Sequence, residues 1–591
     1  MKSMKTLLIH TSALAYSALA LACCLLPACG KNKSVAAFST DWENDRGKSI
    51  RAVFEQVHGA KLPVGASLAL GVTRSGLVAR SLDGKESWSY KHALDSRPTI
   101  ATDVVVGEGG GSVFCLDAHT GHELWTTSAK GLHLRGAGDD GTYTAVSLGA
   151  LDVTQNLLLV VNRRGSVVFD TAPKLPIGTP AVLGGIAFVP WGGQYVSAID
   201  IDQGNEAGRL LSRSEVSHAI NIGGDLYFGE HGLIRFDEKI ADAANDPKRF
   251  ITLPPRQLPG NPQWMLPGSR VTPAVAAALD KVRFYARPNA GGTGVESTRF
   301  AASYFRLAMG FDSTAANLTW VHESNDDYLA AAAARGGFAF CDASGKVSFF
   351  GAAAGEDAGS ISLGTPLLAC VVQASDFTVA SNKQPARMFD QLKQAVTLDA
   401  PQLVTAQRFL LGEISKINNP DVTEVLIQLA SHPRTAPALL EDARTLLAAR
   451  RDGADFMLDA LKSHYDFLAN IVTTPPVGPL ADALAAMKEQ RAASLLADHL
   501  NDPADSADDV MRSAKALETL ATPAEYSALK IFFTLYRAAA SDRALEDAVI
   551  SVAKALLTVG GDQGHEVVAF ASRDKLTQKR VREGIARLLE D

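Results

Sequence analysis

Cysteine is scarce, with six residues in a chain of 591. Cys23, Cys24 and Cys29 fall in the N-terminal hydrophobic stretch, which leaves Cys115, Cys341 and Cys370 for the rest of the chain. Three cysteines are too few for a disulfide scaffold. They read as small buried apolar side chains on strands, with one disulfide among them as the alternative. Excess charge is missing too: 57 Lys and Arg against 64 Asp and Glu give a net charge of −7. Such a balance offers nothing to attract nucleic acid. After the N-terminus no hydrophobic run is long and clean enough to span a bilayer. Tryptophan and glycine are nearly withheld from the last third: all six Trp lie at or before Trp320, and seven of the 49 Gly follow residue 385.

What is present starts at the N-terminus. Lys2 and Lys5 precede a mostly apolar run from Leu7 to Leu26, and small Ala28 stands before Cys29. That is the anatomy of an export signal. A transmembrane helix fits less well, because the segment is short, begins the chain and runs into Lys31, Asn32, Lys33 and Ser34. The run Leu26-Pro27-Ala28-Cys29-Gly30 resembles the lipobox of bacterial lipoproteins. Cys23 is the weaker cleavage point, since Ala20 stands where Leu26 stands for Cys29. The resemblance implies a signal peptide over residues 1–28 and acylation of Cys29 (palmitate among the acyl chains). Each buried CH₂ contributes roughly 0.8 kcal/mol, and more than one chain is needed for a stable anchor. Gly30 does not resemble the aspartate that typically retains this class at the inner membrane. The implied place is the outer membrane facing the periplasm, with surface exposure as the alternative.

Some 560 residues remain after such a cut, too many for one ordinary core. Character changes around Lys383–Pro385. Upstream, short β-rich runs alternate with Gly, Asn and Asp turns; downstream, Ala, Leu, Glu, Lys and Arg recur at helical spacing. The division read from this is an anchor, linker and short helix over 29–59, a β domain over 60–384 and an α domain over 385–591. The short helix uses Ile50, Val53, Phe54 and Val57 as its apolar face.

The sharpest internal motif is Cys115-Leu116-Asp117-Ala118-His119-Thr120-Gly121-His122-Glu123-Leu124-Trp125. Asp and Gly make a tight turn between two strands, and the following Trp can lie flat on the next structural unit. Weaker copies recur. Asp83 leads to Trp88, Asp200 to Gly204, and Asp312 to Trp320; Asp170, Asp237 and Asp342 each end a turn-strand-Asp run. The intervals between these aspartates are 34, 53, 30, 37, 75 and 30 residues, the long one reading as two units. A period in the range of about 30 to 50 with strand-rich units points to propeller blades. The pattern resembles the pyrroloquinoline-quinone-type propeller repeat, Ala-x-Asp-x-x-x-Gly-x-x-x-Trp, with Cys115 in place of the first Ala. At about 40 residues per blade, residues 60–384 hold seven or eight blades. The Pro-rich stretch from Ala241 to Gly292 fits the period poorly and reads as a degenerate blade with a long loop, or as a decoration.

The last third reads as about ten helices, broken at Asn418–Pro420, Pro433, Asp452–Gly453, Pro475–Pro476, Asn501–Pro503 and Gly560–Gly561. Thr522-Pro523-Ala524-Glu525 reads as a capping box. Ala492 through Leu520 resembles a HEAT repeat, a family whose stacked helix pairs form a groove for partners. The fold class is therefore a seven- or eight-bladed β-propeller followed by an α-helical HEAT-like domain.

Chemistry is weakly signalled. Quinoprotein dehydrogenases of the repeat family hold their cofactor against adjacent cysteines, and the adjacent pair here, Cys23 and Cys24, lies in the signal segment. His119 and His122 read as exposed turn residues, and Asp502, Asp505, Asp508 and Asp509 as a solvated loop without calcium-loop spacing. No catalytic, cofactor or metal residues are assigned. The β half resembles the propeller lipoprotein of the outer-membrane β-barrel assembly machinery, although that family ends with its propeller. The resemblance implies a non-catalytic, lipid-anchored scaffold that binds protein partners in the envelope, with no nucleic acid and no small-molecule ligand. The rival readings are a quinone-dependent periplasmic oxidoreductase and an envelope-polysaccharide-binding propeller.

Overall fold

The computed structural model describes residues 38–39, 50–212, 216–222, 224–229, 232–235, 250–252, 282–285, 299–312, 317–463 and 474–590. Cys29, Asp237 and most of the stretch 241–292 lie outside these residues. Two compact units divide the chain, the first running to Pro385 and the second starting at Ala386. Among the described residues no helix is long and apolar enough to cross a membrane.

The first unit contains seven four-stranded antiparallel sheets among the described residues. The first pairs β28 (Ala369–Ala374) with β1 (Ser67–Thr73), β2 (Gly76–Ser81) and β3 (Ser87–Tyr90). The second holds β4 (Thr99–Ala101), β5 (Val104–Gly109), β6 (Ser112–Asp117) and β7 (Glu123–Ser128). The third holds β8 (His133–Asp139), β9 (Tyr143–Gly149), β10 (Asn156–Asn162) and β11 (Val167–Thr171). The fourth holds β12 (Ala181–Leu183), β13 (Ile186–Trp191), β14 (Tyr195–Asp200) and β15 (Asn205–Leu211). The fifth holds β16 (His218–Ile222), β17 (Asp225–Gly229), β18 (Gly232–Arg235) and β19 (Phe250–Thr252). The sixth holds β20 (Val282–Tyr285), β21 (Arg299–Tyr304), β22 (Leu307–Asp312) and β23 (Asn317–Glu323). The seventh holds β24 (Tyr328–Ala334), β25 (Gly337–Asp342), β26 (Lys346–Gly351) and β27 (Asp357–Ser362).

Inner strands such as Val104-Val105-Val106 are apolar on both faces because both faces are covered. Val105 and Phe114 pack toward Leu68 and Leu70 of the first sheet, while Val104, Val106 and Cys115 pack toward Val146 and Leu159 of the third. The third and fourth sheets share Leu158, Val160, Val182 and Val189, and the fourth and fifth share Phe188, Val196, Leu226 and Phe228. Trp320 of the sixth packs with Phe338, Phe340 and Phe350 of the seventh. Cys341 and Val347 of the seventh pack with Ala69 and Cys370 of the first.

Helix α1 (Ile50–Val57) buries Ile50, Val53, Phe54 and Val57 on Leu183, Ile186 and Phe228 of the fourth and fifth sheets. Within the 75-residue interval, the described residues are outer strand β19 of the fifth sheet and strands β20, β21 and β22 of the sixth.

The second unit is a run of helix pairs: α2 (Met388–Val396) with α3 (Val404–Ser415), α4 (Asp421–Ser431) with α5 (Pro437–Ala448), and α6 (Ala454–Leu461) with α7 (Val477–Met487). Then follow α8 (Ala493–His499) with α9 (Ala507–Leu520), α10 (Tyr526–Ala539) with α11 (Arg543–Val559), and α12 (Gly561–Arg573) with α13 (Lys579–Glu590). The second helix of each pair touches the second helix of the next, so α3, α5, α7, α9, α11 and α13 form one continuous layer. Ion pairs cross that layer: Arg408 to Asp442, Asp482 to Arg512, Glu518 to Lys554 and Asp547 to Arg580. Thr522 and Glu525 form the reciprocal capping box, opening a 3₁₀ turn that leads into α10.

Candidate functional site

The repeat residues lie at the turns between the third and fourth strands of the sheets. Asp117 Oδ1 accepts from the backbone N–H of His119 (3.0 Å) and of Thr120 (2.8 Å), while Gly121 N–H donates to Asp117 O at 2.8 Å. Gly121 has φ +70°, which admits glycine most readily. The indole of Trp88, on β3 of the sheet before, covers Gly121 and donates to Ala118 O at 2.9 Å. Trp320 repeats the arrangement on Gly355 of the next sheet, donating to Ala352 O at 3.3 Å. Trp125 lies against Gly165 of the third sheet, its indole N–H without a hydrogen-bond partner among the described residues. Asp200 holds the same turn, accepting from Gln203 N at 2.9 Å, with Gly204 at φ +65°. Asp83 makes a tighter version, accepting from Lys85 N at 3.1 Å; hydrogen bonds from Ser81 and Lys85 hold its carboxyl well below the usual range. Asp312 ends β22 and pairs with Arg299 at 2.9 Å.

Two anchors need correction. Asp342 ends β25, the second strand of its sheet, and its Oδ1 binds Ser344 N and Lys346 N in the β25–β26 turn. The position matching Asp117 is Gly351, whose carbonyl accepts from Gly355 N. Asp170 lies within outer strand β11; the matching position is Asn162, whose Oδ1 accepts from Arg164 N and Ser166 N at 3.0 Å each. A strand-then-Asp pattern does not tell which of a sheet's four strands it marks.

Two of the three cysteines depart from the apolar reading, and Cys115 on β6 keeps to it. Cys341 and Cys370 form a disulfide between β25 and β28, buried between the seventh and first sheets. Cys115 is free, and burial pushes its thiol far above the ordinary range. Of the acidic loop taken as solvated, Asp509 is buried, accepting from Gly478 N at 2.8 Å and from Arg444. His499, Asp502 and Asp505 converge to within 4.8 Å. His499 has both ring nitrogens engaged, at 2.9 Å from Asp505 Oδ2 and 2.9 Å from Leu461 O. Burial alone would lower its pKa, and these bonds outweigh it and raise it. This is a tie between helices.

Among the described residues, a cavity of about 790 Å³ in the first unit has room for a ligand. Six of the seven sheets reach it through their first strands, with Ala101 and Thr102, Gly138 and Asp139, Ala181, Asn221, Ala332 and Gln373 among the lining groups. Residues 60–65, which link α1 on the fourth and fifth sheets to β1 in the first, form part of its wall. Ala66 N donates to Thr102 O at 2.7 Å, and Gln373 Nε2 donates to Ala66 O at 3.0 Å and Thr102 O at 2.9 Å. Pro63 lies against Gly141 of the β8–β9 turn.

Asp139 is the buried charge at this cavity. Its Oδ1 receives Arg163 Nη2 at 2.6 Å and Gly141 N at 2.7 Å, and its Oδ2 receives Thr144 Oγ1 at 2.6 Å. Arg163 also binds Asp103 at 2.6 Å, joining the second and third sheets. Burial outweighs the arginine and pushes Asp139 up to about 6. None of these residues was singled out in the sequence, because each occurs once, on a different strand; a polar side chain in an apolar inner strand, such as Gln373 after Cys370-Val371-Val372, was the available signal.

Residues 83–234 match the family described as Outer membrane protein assembly factor BamB, a stretch that runs from the β2–β3 turn of the first sheet through the second, third and fourth sheets to β18 of the fifth. No curated protein matches the chain. Among solved structures, BamB from Moraxella catarrhalis is 13% identical, with 54% of this chain and 90% of that chain covered and a TM-score of 0.28. The computationally designed Ika8 protein is likewise 13% identical, with 55% and 95% covered and a TM-score of 0.29.

Proposed function

We propose that the protein is a non-catalytic scaffold, held by lipid on Cys29 at the periplasmic side of the outer membrane, that binds protein partners in outer-membrane protein assembly or a related envelope complex. The match of residues 83–234 to the BamB family carries this reading. In it, the seven sheets are blades of a closed ring. The shared cores between successive sheets support the ring, as does the pairing of last strand β28 with first strand β1. Closure leaves short, protected edges and a rigid disc for loops to bind from. The helix pairs of the second unit, each stacked on the next, form a HEAT-like array with a long surface for a second partner.

The test is affinity capture of the tagged, lipidated protein from solubilised envelopes. Co-purification of outer-membrane assembly proteins is the expected result; recovery of cytosolic proteins alone would sink the proposal. Mass spectrometry of the mature N-terminus should find acylated Cys29. Addition of pyrroloquinoline quinone and calcium should leave no stoichiometric chromophore, and a tightly bound one would favour the oxidoreductase reading.

A further inference from the structure

The anchor read at Cys29 leaves the disc's orientation to the membrane open, and the residues just after it bear on that question. Phe38 is 7% exposed, with its ring 5.6 Å from that of Trp191 in an edge-on contact. Trp191 stacks on Tyr195 at 4.3 Å, and the Arg209 guanidinium lies 5.1 Å from the Trp191 ring. Arg209 Nη1 donates to Ser39 O at 2.6 Å. Glu206 grips Arg209 through two bonds, at 2.7 and 2.6 Å. Ser197 Oγ donates to Glu206 Oε1 at 2.6 Å and accepts from Trp191 Nε1 at 2.8 Å, which closes the circuit. The Arg209 and Glu206 side chains are 7% and 8% exposed. Phe38 has φ +67°, a conformation an aromatic residue adopts only when its surroundings impose it. An aromatic slot, a buried ion pair and an imposed backbone conformation together make a built receptor for this segment on the outer half of the fourth sheet.

We propose that this receptor locks the lipid tether, so that the fourth sheet is the membrane-proximal edge of the disc. The inference rests on acylation of Cys29. Phe38 is nine residues on from Cys29, a stretch that can span no more than about 30 Å. Without the lock the free tether would run to α1 at Ile50, 21 residues on, and reach about 70 Å. The partner this edge faces is therefore the lipid surface, and the rest of the disc is left to proteins.

The test uses full-length lipidated protein in vesicles of phosphatidylethanolamine and phosphatidylglycerol that carry a short-range quencher on the headgroups. Fluorophores are placed through Gln203→Cys, at the β14–β15 turn of the fourth sheet, or through Lys85→Cys, at the β2–β3 turn of the first. Quenching at residue 203 should exceed that at 85 by about twofold or more, given the roughly 30 Å limit of the locked tether. Phe38→Ala should bring the two toward parity, and Phe38→Tyr should keep the difference. A long Gly-Ser insertion after Ser34 should also abolish the difference while leaving the slot filled, which separates tether length from any damage to the fold. Equal quenching in the otherwise unaltered protein, with the vesicles retaining it, would overturn the orientation alone. Failure of the vesicles to retain the protein would overturn the anchor at Cys29, and the orientation with it.

Discussion

Gly121 combines two demands that other residues do not meet together. Its φ is +70°, and a Cβ there would sit 2.5 Å from the Trp88 ring. Gly121→Ala should therefore destabilise the first unit by about 2–4 kcal/mol, the left-handed backbone and the displaced indole both contributing. Gly131→Ala is the control: φ is +76° with nothing within 4 Å, so the backbone cost of about 1–2 kcal/mol stands alone. Denaturation followed by tryptophan fluorescence reports on the first unit, because all six Trp precede Pro385. Asp139 makes the second prediction at this scale. Its folded-state pKa is raised to about 6 by burial, so the native state binds its proton more tightly than the unfolded chain. Its contribution to stability is therefore fully present below the unfolded value near 4 and is lost as pH rises to about 6, a change of about 3 kcal/mol. Asp139→Asn should flatten that part of the stability profile; an unchanged slope would remove Asp139 as its source. Gly121 was legible in the sequence because a turn glycine and a downstream Trp leave a spaced pattern. Asp139 was not, because its burial depends on Arg163 and on a neighbouring sheet.

Among the elements, the Cys341–Cys370 disulfide joins β25 of the seventh sheet to β28 of the first across 29 residues. Loop-closure entropy for that span gives about 3–4 kcal/mol. Cys370→Ser, or reduction of the native protein, should lower the denaturation midpoint of the first unit by a matching amount and leave the helical signal of the second unit unchanged. The sequence offered one disulfide among three cysteines without saying which two pair, since this pairing exists only because the last strand returns beside the first. The same dependence explains the misread anchors. Asp342 and Gly351 both end apolar strands, and only the sheet order makes Gly351 the start of the turn whose Gly355 lies under the indole of Trp320. Helix boundaries were more legible: the breaks at Pro433, Gly453, Pro476 and Pro503 all fall between helices, because proline and glycine end helices locally, before any packing.

For the whole molecule, residues 382–387 form an exposed run between the two compact units. Limited trypsin digestion should cut first after Lys383 or Arg387 and release a helical fragment that ends at Asp591. Initial cleavage within α3–α13, with this run intact, would contradict the division. Composition by itself determined that the chain changes from strands to helices near residue 385, because turn-forming glycine, indoles and helix formers act through local backbone preference and spacing. Tertiary structure alone decided which aspartates are equivalent, which cysteines pair, which six sheets share a cavity and where Phe38 is seated. Each of those depends on residues from about thirty to several hundred positions apart meeting across sheet faces, and pairwise burial of that kind leaves no periodic trace in a single sequence.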